Sequence, residues 1–246
     1  MARQTPTTIF FDLDETLIEN RRAVPELFQD VYNLHAQTLG EEHRGDFFAR
    51  LRHYAGSLWD SMFDHSASPE SLFVECFANA ARDLKLLQGA QATALGQTML
   101  DSYVTLSSGN VSFQPHAEDT LENLRELGLT VGIITNGIEQ IQLGKINALG
   151  LTDKVDVITV SAQARAHKPH APVFELALER ANAKAEHAWQ IGDHATNDVA
   201  GAIRAGMGGV FYDPGLDRRA SAFDELPEQP THVISALNEV LDLVGN

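Results

Sequence analysis

Six short runs rich in β-branched and aromatic residues punctuate this chain, and what lies between them limits the folds open to it. They are TTIFF (7–11), TVGIIT (130–135), VDVITV (155–160), AWQIG (188–192), GVFYD (209–213) and THVIS (231–235). Helical patterns separate the later ones. EDTLENLRELG (118–128) sets Leu121, Leu124 and Leu127 on one face and stops at Gly128, and IEQIQLGKINALG (138–150) stops at Gly150 in the same way. APVFELALERAN (171–182) carries Pro172 where a first helical turn tolerates it. Strand–helix–strand alternation of this kind predicts an α/β fold with a parallel sheet covered on both faces.

The stretch from about Asn20 to Asn110 has a different texture. Its apolar residues recur at helical spacing: Val24, Leu27, Phe28 and Val31; Phe47, Leu51, Tyr54 and Leu58; Leu72, Phe73, Cys76, Phe77 and Ala80. Ser68 before Pro69 and Glu70 predicts an N-cap and a first turn. We expect an all-helical insertion over 20–110, with 1–19 and 111–246 forming the sheet-bearing core and the chain rejoining the sheet near Phe113.

In an open parallel sheet, ligands collect beyond the C-terminal ends of the strands. After the first run come Asp12, Asp14 and Thr16; after the second, Thr135 and Asn136; after the third, across a loop, Lys168; after the fourth, Asp193 and Asp198. Singly, each has a plain reading as a turn or a helix cap. Together, at successive strand ends, they point to phosphoryl transfer. Asp12 fits a carboxylate nucleophile. Because it must approach an anionic ester, Mg²⁺ held by Asp12, Asp193 and the Asp14 backbone carbonyl is expected to offset the repulsion. Asp14 is placed to protonate the departing alcohol and then to activate water. Lys168 and Thr135 are expected as donors to phosphoryl oxygens, Lys168 also neutralising the nucleophile's surroundings, with backbone N–H groups near Leu13 and Asn136 assisting. Thr16 and Asp198 are expected to support the site, Asp198 by positioning Lys168 or a metal-bound water.

These residues resemble the haloacid dehalogenase-like (HAD) hydrolase superfamily. DLDET is similar to its first motif, Thr135 to its second, Lys168 to its third and GDHATND to its fourth. A helical insertion directly after the first motif resembles the family's C1 cap. The resemblance implies a Rossmann-like core, a mobile cap and a Mg²⁺-dependent phosphomonoesterase forming a phospho-Asp12 intermediate. LDETLIENRR and GAIRAGM resemble flavin-mononucleotide-type phosphatases. VGIITNG resembles pyrimidine 5′-nucleotidases and N-acylneuraminate-9-phosphate phosphatases. The implied substrate is a small phosphorylated metabolite: a nucleotide, FMN or a sugar phosphate.

Other readings stay open at this point. A phosphosugar mutase keeps both aspartates. A 2-haloacid dehalogenase normally lacks the second, so Asp14 counts against it. A phosphonatase needs a Schiff-base lysine, and Lys85 is the only lysine of the insertion. A non-catalytic phosphometabolite-binding protein is expected to have lost Asp12 or Asp14.

Acidic residues exceed basic ones by 34 to 18, a formal charge of −16, which disfavours nucleic acid or an anionic membrane as partner. A single cysteine, Cys76, excludes an intrachain disulfide, and no apolar run reaches membrane-spanning length, so a cytoplasmic protein is expected. His167 and His194 read as solvated loop histidines. Arg21, Arg22, Arg44, Arg50 and Arg52 read mostly as solvated, with a role on the substrate's anionic portion as the alternative. Trp59 and Phe63 read as core packing before base stacking.

Overall fold

The computed structural model describes residues 5–64, 67–215, 223 and 226–245. Six parallel strands form its central sheet: β1 (Thr8–Phe11), β4 (Thr130–Thr135), β5 (Val157–Val160), β6 (Ala188–Gly192), β7 (Gly208–Tyr212) and β8 (His232–Ile234), in the order β5-β4-β1-β6-β7-β8. The connections run outward from β1 in one direction and then return to its other side at β6. This is the Rossmann-like arrangement, whose chain order reverses between β1 and β6 and opens a crevice there.

β1 is TIFF with every residue buried, which a strand covered on both faces requires. Phe10 lies against Ile134, Phe174, Ala177 and Met207, on the side covered by the helix Ala171–Arg180. Gly132 is needed beside it: a Cβ there would stand 2.7 Å from the Phe10 ring.

Two expectations change. Near Phe113 the chain does not rejoin the large sheet. β3 (Val111–Phe113) pairs antiparallel with β2 (Ile18–Asn20) as a separate two-stranded ribbon. Strands this short, with only their first residues buried, carry too little alternation to be read from sequence. Leu127 does not join the face of Leu121 and Leu124. The helix ends at Glu126, Gly128 takes φ 81°, and Leu127 is left 60 % exposed.

The residues divide into two compact units. One comprises the chain up to Asn20, Val111–Gln142 and Ile146 onward; the other comprises Arg21–Asn110 with Leu143–Lys145. The second is built on α1 (Val24–Leu39), α2 (Arg44–Ser61), α3 (Pro69–Asp83) and α4 (Gly89–Ser108). The Ser68 side chain accepts from the Ser71 amide at 3.2 Å, capping α3. Phe28, Phe73, Phe77 and Tyr103 form its aromatic centre. Gly96 lets α4 approach α3, since a Cβ would meet the Val74 carbonyl oxygen at 2.4 Å. Cys76 is buried, and burial pushes its thiol up to about 11, the behaviour of a packing residue. Val24, expected inside, is 41 % exposed. No helix of the described residues is long and apolar enough to cross a membrane.

Candidate active site

The site begins where β1 runs out. Phe11 stands in register with Ile133 on one side and Ile191 on the other, and the Asp12 N–H continues the ladder to the Ile191 carbonyl at 2.8 Å. The carboxylate of Asp12 therefore emerges at the strand edge on rigid backbone. The chain then turns sharply: Leu17 and Ile18 both donate N–H to the Leu13 carbonyl, at 2.9 and 3.0 Å, with Glu15 at φ 60°.

Lys168 sits beneath Asp12, 3 % exposed. Its ammonium has three N–H donors and meets three acceptors: Asp12 Oδ1 at 2.7 Å, Asp198 Oδ1 at 2.6 Å and the Ile134 carbonyl at 2.8 Å. A phosphoryl oxygen would reach it only by displacing one of these. In this geometry Lys168 stands between the two side chains as their shared positive charge, the neutralising half of its expected role. Its loop is held by Asn136, whose Oδ1 accepts from the Lys168 amide at 2.7 Å while Nδ2 donates to the Lys168 carbonyl at 3.1 Å. The Asn136 side chain is thus committed to backbone.

Asp198 is fully buried. Its Oδ1 accepts from Lys168 and from Gln190 Nε2 at 3.1 Å, and its Oδ2 from the His194 amide at 3.2 Å. It lies in a helical segment, Ala195–Ala200, wound with a wider π turn. Gly192 makes room for it, because a Cβ there would stand 2.2 Å from Asp198 Cγ. One oxygen each of Asp12, Asp193 and Asp198 lie within 4.8 Å of one another. The Asp14 side chain stands outside that group. Its Oδ2 accepts from Gln142 Nε2 at 2.9 Å, and the same nitrogen donates to Thr135 Oγ1 at 2.7 Å.

Burial, and after it the charge of Asp198, pushes the Asp12 carboxyl up to about 8, against the pull of Lys168. Burial works against the Lys168 ammonium too, yet Asp12 and Asp198 outweigh it and its pKa is raised. Lys168 therefore stays charged, and Asp12 is the group whose proton is negotiable.

All the candidates except Thr16 line one cavity of about 140 Å³, which His194 also borders. Thr16 is fully buried in the turn after β1, and its hydroxyl has no hydrogen-bond partner among the described residues. A larger cleft of about 640 Å³ near Thr130 is lined by charges already paired, such as Arg125 with Asp156 at 3.3 Å and Lys154 with Glu118 at 2.7 Å.

His167 is not solvated as expected; it is half-buried, with Nδ1 3.0 Å from Ser161 Oγ. His194 is exposed, but its Nδ1 accepts from the amides of Thr196 and Asn197 at 3.3 and 3.2 Å. Arg22 pairs with Glu26 and Asp30, and Arg44 with Glu41. Lys85 is exposed, Phe63 is half-buried, and the Trp59 side chain lies outside the described residues. Sequence reasoning missed Gln142, Gln190 and the Ile134 carbonyl. Gln190 left a signal, a lone amide in an apolar run, whereas Gln142 lies among other polar residues and, like the carbonyl, left none.

The sequence profile of the haloacid dehalogenase-like hydrolases matches residues 9–211. The chain belongs to that family. It is 31% identical over 246 residues to a ribulose-1,5-bisphosphate 5-phosphatase of Halopiger xanaduensis, covering 97% of this chain and 99% of that protein. It is 27% identical to the pyrimidine 5′-nucleotidase YjjG of Escherichia coli, covering 96% of each. Among solved structures, a 2-haloacid dehalogenase from Pseudomonas syringae pv. Tomato superposes with a TM-score of 0.75 at 25% identity, covering 98% of each chain. Matched end to end by phosphatases and carrying this acidic site, the protein is a HAD-family phosphatase.

Proposed function

We propose that this phosphatase hydrolyses the monoester of a small phosphorylated metabolite through a phospho-Asp12 intermediate, with Mg²⁺ as its metal. The observation that carries the reading is Asp12 itself: a carboxylate on rigid backbone at the β1 edge, 2.7 Å from a buried ammonium. One of its oxygens would attack phosphorus while the P–O bond to the leaving alcohol breaks. Asp14 would give that alcohol its proton, then take one from the water that attacks the acyl phosphate and regenerates Asp12. Thr135 would donate to a phosphoryl oxygen.

The donor set fits a hard divalent cation, being carboxylates brought within 4.8 Å. Asp12 and Asp193 would hold it with the Asp14 backbone carbonyl, because both oxygens of Asp198 already serve Lys168, Gln190 and His194. When bound, Mg²⁺ supplies positive charge that offsets repulsion between Asp12 and the ester and orients it.

The 20–110 insertion is assigned as the cap that selects the substrate, in a protein of the cytoplasm. The relatives' substrates make sugar phosphates and nucleoside monophosphates the first to try. The experiment is phosphate release from ribulose 1,5-bisphosphate, glyceraldehyde 3-phosphate, nucleoside monophosphates, phosphoserine and FMN, with Mg²⁺ and with EDTA. 2-Chloropropionate, read by chloride release, tests the dehalogenase alternative. Metal-dependent release from one ester far above the rest, abolished in Asp12→Asn, is expected. Substantial turnover by Asp12→Asn would exclude Asp12 as nucleophile.

A further inference from the structure

Helix α6 (Glu139–Ala148) buries two polar residues, Gln142 and Lys145, and the amide of Gln142 faces the site. Ile141 and Ile146 are buried there, and so is Gln142, 3 % exposed. A buried amide is costly unless its N–H groups find acceptors. Those of Gln142 find two, on residues 128 and 7 positions away: Asp14 Oδ2 and Thr135 Oγ1. Both bonds come from the one amide nitrogen, whose two N–H groups serve the two oxygens. Gly137 leaves the space. A Cβ on it would stand 2.6 Å from Gln142 Cγ and 2.8 Å from Cδ.

We propose that Gln142 is a positioning residue that fixes, through one amide nitrogen, both the orientation of the Asp14 carboxyl and the direction in which Thr135 donates. The N–H donated to Asp14 Oδ2 fixes the rotation of that carboxyl about its Cβ–Cγ bond. Thr135 Oγ1 accepts from Gln142, so its own hydrogen must point elsewhere. The Asn136 carbonyl at 3.5 Å is a weak rival for that hydrogen, which leaves it for an oxygen in the cavity that Asp14 and Thr135 both line. One buried amide thus sets an acid and a hydrogen-bond donor against the same ester. The inference rests on the reading of Asp14 as the proton donor to the leaving group.

The test is a double-mutant cycle on the full chain with Mg²⁺, using Gln142→Met, Asp14→Asn and the pair. Methionine keeps the side chain's length and removes both N–H groups. Each variant is assayed on p-nitrophenyl phosphate, whose leaving group needs no proton, and on an alkyl phosphate, whose leaving group does. Gln142→Met is expected to lower kcat on the alkyl ester about tenfold more than on the nitrophenyl ester, the loss of one charge-assisted hydrogen bond, with KM little changed. In the Asp14→Asn background that selective loss should vanish. Equal losses on both esters, or losses that multiply in the pair, would overturn the proposal. Gly137→Ala crowds the same amide without altering it and should show the same selectivity. It serves as the deciding variant should Gln142→Met not fold. Asp14→Asn alone reports on the underlying reading: if it slows both esters equally, the acid assignment fails, whatever Gln142 does.

Discussion

Replacing Lys168 with methionine removes the one ammonium held between Asp12 and Asp198 and keeps most of the side chain's volume. At 2.6 Å, the Lys168–Asp198 contact has a gross Coulomb energy of about 6 kcal/mol at an effective dielectric of ~20. Most of that is offset by the cost of burying the charges. Breaking a buried pair from one side leaves a net loss of about 3–5 kcal/mol, because the partner carboxylate is stranded. With a urea m-value of about 3 kcal/mol/M, the midpoint should fall by about 1–2 M. Trp189, buried in β6, reports the unfolding of the sheet-bearing unit by fluorescence in a Trp59→Phe background. Without its cation, Asp12 holds its proton to still higher pH, so phosphatase turnover at neutral pH should fall by at least about 10²-fold. The decisive arm is Lys168→Met with Asp198→Asn. Neutralising the stranded carboxylate should recover a sizeable part of the stability and none of the turnover. A Lys168→Met protein that unfolds within about 0.5 M of wild type, or a double variant no more stable than the single, would refute the account of Lys168 as the neutralising charge.

Asp12 moves from the ordinary carboxylate value of 3.8 to about 8, so the native metal-free protein holds a proton there that the unfolded chain has lost. Its stability should therefore decline as pH rises from about 4 to about 8. A divalent cation must displace that proton, so the rise in Tm produced by Mg²⁺ should be larger at pH 8.5 than at pH 6; a pH-independent rise would count against Asp12 as a ligand. Gly192→Ala places a Cβ 2.2 Å from Asp198 Cγ and should abolish turnover by displacing Asp198 from Lys168; an active variant would show that this contact is dispensable. Phe77→Ala, which empties the aromatic centre of the helical unit, should cost about 3–5 kcal/mol in urea unfolding. A loss under 1 kcal/mol would show that this centre collapses around the gap.

Much of this architecture is legible because its signals are local. β1, β4 and β6 are short, β-rich and bounded by acids, amides or glycine, and the glycines at 128 and 150 stop their helices with φ of 81° and 65°. What is not legible depends on tertiary pairing. The ribbon of Ile18–Asn20 with Val111–Phe113 joins segments some ninety residues apart, each only three residues long. The exposure of Leu127 depends on where a helix ends within one residue, which periodicity cannot resolve. The three-acceptor environment of Lys168 includes the Ile134 carbonyl, and main-chain groups are invisible in a pattern of side chains.

Gln142 and Gln190 mark the boundary between those two cases. Gln190 is the single amide in AWQIG, a strand buried at every position, and a buried amide implies a polar partner close by. That partner is Asp198, eight residues on, and the pairing explains why a fully buried carboxylate is tolerated next to Lys168. Gln142 is buried too, but among the polar residues Gln140, Lys145 and Asn147 its pattern does not single it out; its partners are the two side chains proposed to act on the ester. In both cases a buried amide donates to a side chain of the site and restricts it. Charged residues after strand ends mark the layer proposed to meet substrate, while buried amides such as Gln190 and Gln142 mark the layer that holds it in place. The second layer becomes readable once the burial of a segment is inferred with enough assurance that its one polar residue demands a partner.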